Sequence, residues 1–127
     1  MQERMPDVDA VLRALSAIRM PKAVPEESDL HAAVAKALLD AGLEAKHEAR
    51  VAPRCRIDFL CGRVGLEIKK GKVPGTRLHS QCARYLDSPM MDALVLVSPR
   101  ALYLPPRIGG KSVYIFSLNR LWGVALP

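Results

Sequence analysis

The 127-residue sequence predicts an α/β fold, a mixed central sheet flanked by helices, with an extra helix at the N-terminal side. Three observations predict it. Residues 56–72 read as a β-hairpin. Residues 76–86 carry apolar positions at helical spacing. Residues 92–98 form a continuous apolar run bounded by polar residues, the pattern of a strand buried on both faces. A hairpin, a helix and a buried strand in succession make a βαβ unit.

Length and composition bound the problem. The chain is long enough for one domain with a real core and too short for two. Half of the residues are hydrophobic and a quarter charged, with a net charge of +6. The basic balance, with a pI near 9.6, fits an anionic partner such as nucleic acid. Few residues are aromatic, which argues against base stacking as the main binding mode. Cys55, Cys61 and Cys82 are odd in number and make no CxxC pair, which excludes a disulfide framework and a zinc ribbon; Cys61 and Cys82 sit in apolar patterns and are expected in the core. No signal peptide and no apolar run long enough to cross a bilayer is present, so a cytoplasmic location is expected and no membrane partner.

The elements follow in order. Residues 7–20 place Val8, Val11, Leu12, Leu15 and Ile18 at helical spacing; this helix is either an appendage on the core or a dimerisation element. Residues 21–25 break the chain, so residues 1–24 are read as helix plus linker and 25–127 as the main domain. Pro25 opens a second helix, with Glu26, Glu27 and Asp29 at the positive end of its dipole. Leu30, Val34, Ala37 and Leu38 form its apolar stripe, and Gly42 ends it. Glu26 and Glu27 flank that stripe, one on each side, so one of them points inward.

Residues 43–51 read as an exposed strand. His47 and Glu48 alternate on it, so at most one of them faces any site on the sheet. His47 reads as a surface histidine. Within the hairpin, Gly62-Arg63 suits a type II′ turn, which sets Cys61 opposite Val64 and Asp58 opposite Glu67. Lys69, two residues past Glu67, shares its face, and the other face is apolar. Two opposed carboxylates repel unless a cation lies between them. A hard divalent cation such as Mg²⁺ takes this kind of oxygen ligand, and the adjacent lysine can hold a phosphate oxygen or act on an attacking water.

The next helix, 76–86, has Thr76 as its expected N-cap and Leu78, Cys82, Tyr85 and Leu86 as its core stripe. Arg77, Gln81 and Arg84 make a second stripe suited to a phosphate backbone. Lys72, in the basic loop before the helix, is a further phosphate contact. Residues 102–104 form a short stretch stopped by Pro105-Pro106, 109–111 read as a turn and 112–117 as the last strand. Residues 118–126 read as a terminal helical turn with Trp122 packed inward.

Asp58 followed on the next strand by Glu67-Ile68-Lys69 resembles the PD-(D/E)XK nuclease signature, with Ile57 in place of the proline. Gln81 and Tyr85 resemble the Q-x-x-x-Y motif that follows the lysine strand in several branches of that superfamily. The order of elements from residue 25 to 98 is similar to its restriction-endonuclease-like αβββαβ core, as in the small Holliday-junction-resolvase-like nucleases. The resemblance implies a Mg²⁺- or Mn²⁺-dependent deoxyribonuclease. In it Asp58 and Glu67 hold the metal, with the Ile68 carbonyl as an extra ligand, and Lys69 assists the attacking water. It implies that Gln81 and Tyr85 lie over the site and that the helix before the hairpin supplies a glutamate, assigned to Glu27. Glu48, just before the hairpin, is a further candidate. DNA is the implied partner. A homodimer, built through the first helix or the last strand, is what junction cutting requires. The alternative is a nucleic-acid-binding or assembly subunit that keeps the fold without turnover.

Overall fold

The structure, a computed structural model, describes residues 6–19 and 26–118, with side chains from Val8 onward. Its elements are α1 (Pro6–Leu15), α2 (Glu27–Asp40), β1 (Lys46–Ala52), β2 (Cys55–Cys61), β3 (Val64–Ile68), α3 (Gly75–Leu86), β4 (Ala93–Ser98), β5 (Arg107–Ile108) and β6 (Lys111–Ser117). The six strands form one mixed sheet in the order β1-β2-β3-β4-β6-β5. β1, β2 and β3 pair antiparallel, β3-β4 and β4-β6 pair parallel, and β5 returns antiparallel to β6. The expected α/β class and the β3-α3-β4 unit are therefore present.

Two layers cover the sheet. Val11, Leu15, Leu30, Val34 and Leu38 of α1 and α2 pack with Leu66, Ile68, Val95 and Val97 on one face. Leu78, Cys82, Tyr85 and Leu86 of α3 pack with Ile57, Leu60, Leu94 and Leu96 on the other. Every residue of β4 is buried, which is why its sequence shows no alternation. Among the described residues no helix is long and apolar enough to cross a membrane.

Local chemistry sets the element ends. Glu26 is the N-cap of α2, and its backbone N–H donates to Asp29 Oδ2 at 2.7 Å in a capping box. At the far end Gly42 adopts φ +76°. Leu43 N–H bonds the Leu38 carbonyl and Gly42 N–H the Leu39 carbonyl, both at 2.9 Å, which is a Schellman motif. Gly62 adopts φ +62° while Arg63 does not enter positive φ, and Cys61 pairs with Val64, the register expected of the hairpin. Arg63 locks this turn through a two-point contact with Asp92, at 2.7 and 3.0 Å.

Several expectations change. α1 ends at Leu15, because Ala17 and Ile18 bond the carbonyls three residues back and tighten the last turn. Its apolar stripe is buried against α2 and the sheet, so the helix packs on the core and that stripe is not free for dimerisation. The last strand, β6, lies between β4 and β5, but the two-residue β5 pairs only with Lys111 and Ser112. The cap of α3 is Pro74, not Thr76: the Pro74 carbonyl accepts Leu78 N–H at 2.9 Å, and its φ of −55° is the value the ring already imposes. Residues 102–104 lie outside the sheet, and the short strand β5 that follows them is an addition to the expected order. Pro105 and Pro106 have no N–H for a ladder, and pairing begins only at Arg107. The break at 21–25, the start at Pro25 and the tail at 119–126 with Trp122 lie outside the described residues.

Gly65 shows how tightly the α3 face is filled. A Cβ there would stand 2.4 Å from Met91 Cε and 2.6 Å from Ile57 Cδ1, both on buried side chains. Gly65→Val is expected to destabilise the fold by about 1–3 kcal/mol through overpacking, read from urea denaturation with an unchanged m value. Wild-type stability in that variant would show that Met91 moves aside freely.

Candidate active site

The β2-β3 ladder stops at Phe59↔Leu66. One step further, where the register places Asp58 against Glu67, the strands exchange side-chain bonds instead. Asp58 N–H donates to Glu67 Oε1 at 3.1 Å, and Ile68 N–H donates to Asp58 Oδ2 at 2.8 Å. Each carboxylate thus accepts a backbone amide that the ladder leaves without a partner, which offsets part of the cost of burying it. The N–H and C=O of a strand residue lie on the same edge, so the Ile68 carbonyl is directed to the Asp58 side. Lys69 N–H bonds the Val97 carbonyl at 2.9 Å, which anchors the residue to β4. Its Nζ lies 3.5 Å from Glu67 Oε2, with the two side chains only 15% and 10% exposed.

The expected single polar face is only partly formed. Glu67 and Lys69 share a neighbourhood, but strict alternation fails in β2 at Asp58. Ile57 packs in the α3 layer while Phe59, two residues on, packs in the α2 layer. Opposite them in β1, His47 pairs with Phe59 and Ala49 with Ile57, so Glu48 stands across from Asp58, at φ +53°. That left-handed conformation is strained for a non-glycine residue. Asp58 therefore sits at the point where the strand changes faces. Its Oδ2 lies 3.8 Å from His31 Nε2 on α2.

α3 closes the other side. The Tyr85 hydroxyl stands close enough to Glu67 to act on its charge and donates to the Arg56 carbonyl at 3.4 Å, and Gln81 Nε2 donates to it at 3.5 Å. Gln81 thus meets Glu67 only through Tyr85. Burial, then the charge of Asp58, pushes the Glu67 carboxyl above the usual carboxylate range, with Lys69 opposing. Burial, then Glu67, pushes the Tyr85 phenol up, so it stays a donor. Burial likewise pushes the Cys82 thiol up to about 11, which keeps it protonated.

The remaining expected residues fall elsewhere. Glu27 opens α2 with a side chain 63% exposed, and its Oε2 contacts His31 Nε2 at 3.4 Å, so it reaches Asp58 only through that ring. Glu48 turns away to Arg56, at 3.5 Å, because its left-handed backbone swings the side chain off the sheet face. Lys72, Arg77 and Arg84 are exposed on the α3 layer and the loop before it. Among the described residues no group of three or more His, Cys, Asp and Glu is gathered to hold a metal. What is gathered is a pair of carboxylates with one lysine and one main-chain carbonyl.

His31 is the residue that the sequence reading missed. It joins Glu27 to Asp58, and its ring stands 6.1 Å from Phe59 and 6.2 Å from His47. His47 is exposed, as expected, yet it stacks on Phe59 at 4.7 Å. The signal was available, because Glu27, His31, Val34 and Leu38 fall at i, i+4, i+7 and i+11, one face of a helix.

No protein-family model, curated protein or solved structure matches the chain.

Proposed function

We propose that the protein is a metal-dependent phosphodiesterase acting on DNA, a nuclease of the PD-(D/E)XK type. One observation carries this reading: Asp58 and Glu67 meet where a hairpin ladder opens, with the ammonium of Lys69 3.5 Å from Glu67 Oε2. From α2 to β4 the elements run αβββαβ, the order of the restriction-endonuclease-like core, and this supports the reading. The Gln81–Tyr85 contact over Glu67 adds an independent element of the same motif set.

The donor set fits a small hard cation. One oxygen of each carboxylate is engaged by a backbone amide. The Asp58 carboxylate and the Ile68 carbonyl lie on the same edge, and Glu67 Oε2 faces Lys69. Mg²⁺ is commonly held by one or two carboxylates, with water and substrate phosphate completing its shell. Asp58, Glu67 and the Ile68 carbonyl would hold it; Glu27, assigned a ligand role by the resemblance, lies behind His31. When bound, such a cation polarises a phosphoryl oxygen and acidifies water. The chain's own residues do the positioning. Lys69 is fixed by β4 beside the carboxylates, where it orients the attacking water or takes its proton. Tyr85 stands beside Glu67, and Gln81 holds Tyr85. Lys72, Arg77 and Arg84 place the backbone of the substrate.

A specific observation favours a second reading, a nucleic-acid-binding subunit without turnover. The two carboxylates already complete the hairpin by accepting amides, so they have a structural use without any metal. The experiment that decides is cleavage of labelled duplex, single-stranded, flap and four-way-junction DNA with Mg²⁺, Mn²⁺ or EDTA. Metal-dependent cutting is expected. Binding without cutting in either metal selects the second reading. Junction cutting would also require a dimer, and light scattering with and without junction DNA measures it. A monomer in both conditions sinks that substrate choice.

A further inference from the structure

The exposed cations divide into those with a partner and those without one. Arg63 pairs with Asp92, Lys36 with Asp40, Arg56 with Glu48 and Lys69 with Glu67. Lys111 donates to the carbonyls of Ser88 and Met91. Arg13, Lys46 and Arg50 are exposed and pair with no described carboxylate, and the same holds of five more: Arg54, Lys72, Arg77, Arg84 and Arg100.

These five lie on one side of the sheet. Arg77 and Arg84 project from α3, a helix without a single acidic residue. Seven residues separate them, which is about 10.5 Å along the axis. Arg54 lies in the β1-β2 turn beside Cys55, whose thiol feels the charge of Arg84. Lys72 and Arg100 line one hollow with Val73 and Leu102, which pack on the α3 core. α3 contacts β5 and β2, so it crosses the sheet obliquely from the hollow toward the β1-β2 turn. The opposite layer carries most of the acids, Glu26, Glu27, Asp29 and Asp40 in or beside α2 and Glu44 after it, interspersed with Arg13, Lys36 and Lys46, while the α3 side adds the exposed Asp87 at the end of the helix. Cations gathered on one layer without internal partners repel one another, and a polyanion laid across them removes that repulsion.

We infer that the α3 layer is the face on which nucleic acid docks. The sugar-phosphate backbone passes the opening at Asp58 and Lys69, held by Arg54 and Arg84 on one side and by Lys72 and Arg100 on the other. The inference rests on the nuclease reading only for the site that the strand crosses. Docking itself needs neither metal nor cleavage, so the two are separable.

The test is the salt dependence of binding to a labelled DNA duplex in EDTA, by fluorescence anisotropy. Two variants of equal charge change are compared. Arg84→Ala/Arg100→Ala alters the α3 layer. Arg13→Ala/Lys46→Ala alters exposed cations on the α1 and α2 side. The first pair is expected to flatten the slope of log K against log salt by about 1.8, two phosphate contacts at about 0.9 each, and to weaken binding at 0.1 M salt by more than about tenfold. The second pair is expected to leave the slope within about 0.5 of wild type. Equal losses in both pairs, a larger loss in the second, or no salt-dependent binding by wild type would overturn the docking face. Binding that maps to the α3 layer in a protein that cuts nothing with Mg²⁺ or Mn²⁺ keeps this inference and removes the nuclease reading. Cutting with equal losses in both pairs does the reverse.

Discussion

Lys69→Ala is expected to lower metal-dependent cleavage by about 100-fold to 10,000-fold in single-turnover assays, with DNA binding in EDTA within about threefold of wild type. The size follows from position. The Lys69 backbone is tied to Val97, the side chain is 15% exposed, and its ammonium stands 3.5 Å from a carboxylate expected to meet the reacting phosphate. A group placed that firmly orients or deprotonates a water with little reorganisation. Lys69→Arg is expected to recover little, since a planar guanidinium is not a compact point charge and does not fit the same space. Asp58→Asn is expected to lose a similar factor. If Lys69→Ala instead melts early and cuts at the wild-type rate once corrected for folded fraction, Lys69 only neutralises Glu67, and the second reading gains.

Glu67→Gln is expected to remove cleavage while stabilising the protein at neutral pH. Burial and the neighbouring Asp58 raise the Glu67 carboxyl above its ordinary value of 4.5. Between that value and the raised one, the folded chain holds more protons than the unfolded chain. Unfolding free energy therefore falls as pH rises through that window. Ionised Glu67 costs stability above it, and the loss is recovered as pH drops below it. Glutamine keeps an oxygen for Asp58 N–H and carries no charge. The variant is expected to match wild type near pH 4 and to exceed it by about 1 kcal/mol near pH 7.5, roughly 4 °C in melting temperature. Millimolar Mg²⁺ is expected to raise the melting temperature of wild type and not of the variant, because only the intact pair binds it. Equal melting curves for the two proteins at both pH values would mean that Lys69 already cancels the cost of the buried charge. That exchange of stability for activity is what a functional site imposes on a core position.

Much of the fold was legible because its signals are local. Gly62 permits the turn, the turn sets Cys61 against Val64, and the register then carries Asp58 toward Glu67 without reference to any other element. Helical spacing set Gln81 and Tyr85 one turn apart, and the resemblance to the Q-x-x-x-Y motif implied that they lie over the site. The end of α2 was legible for the same reason, since Gly42 supplies the positive φ that a Schellman motif requires.

The errors at the site are long-range. Alternation predicted Asp58 on one clean face, but β2 must serve two layers, and it changes faces at that residue as Ile57 turns to Met91 and Phe59 to α2. Glu48 was read as a possible ligand, yet the strained backbone that accompanies the face change sends it to Arg56. Glu27 was read as a ligand because its spacing is right, but His31 occupies the space between it and Asp58.

The sequence by itself determined the α/β class, the hairpin with its paired carboxylates and lysine, and the helix that covers them, because each depends on contacts among neighbours in the chain. Tertiary structure decided that α1 packs on the core, that the carboxylates take the place of ladder bonds, that His31 joins the site, and that Arg54, Lys72, Arg77, Arg84 and Arg100 share the α3 layer. Those outcomes depend on which surfaces meet when the sheet closes between its two layers of helices, and spacing along one strand or helix carries no information about the element packed against it.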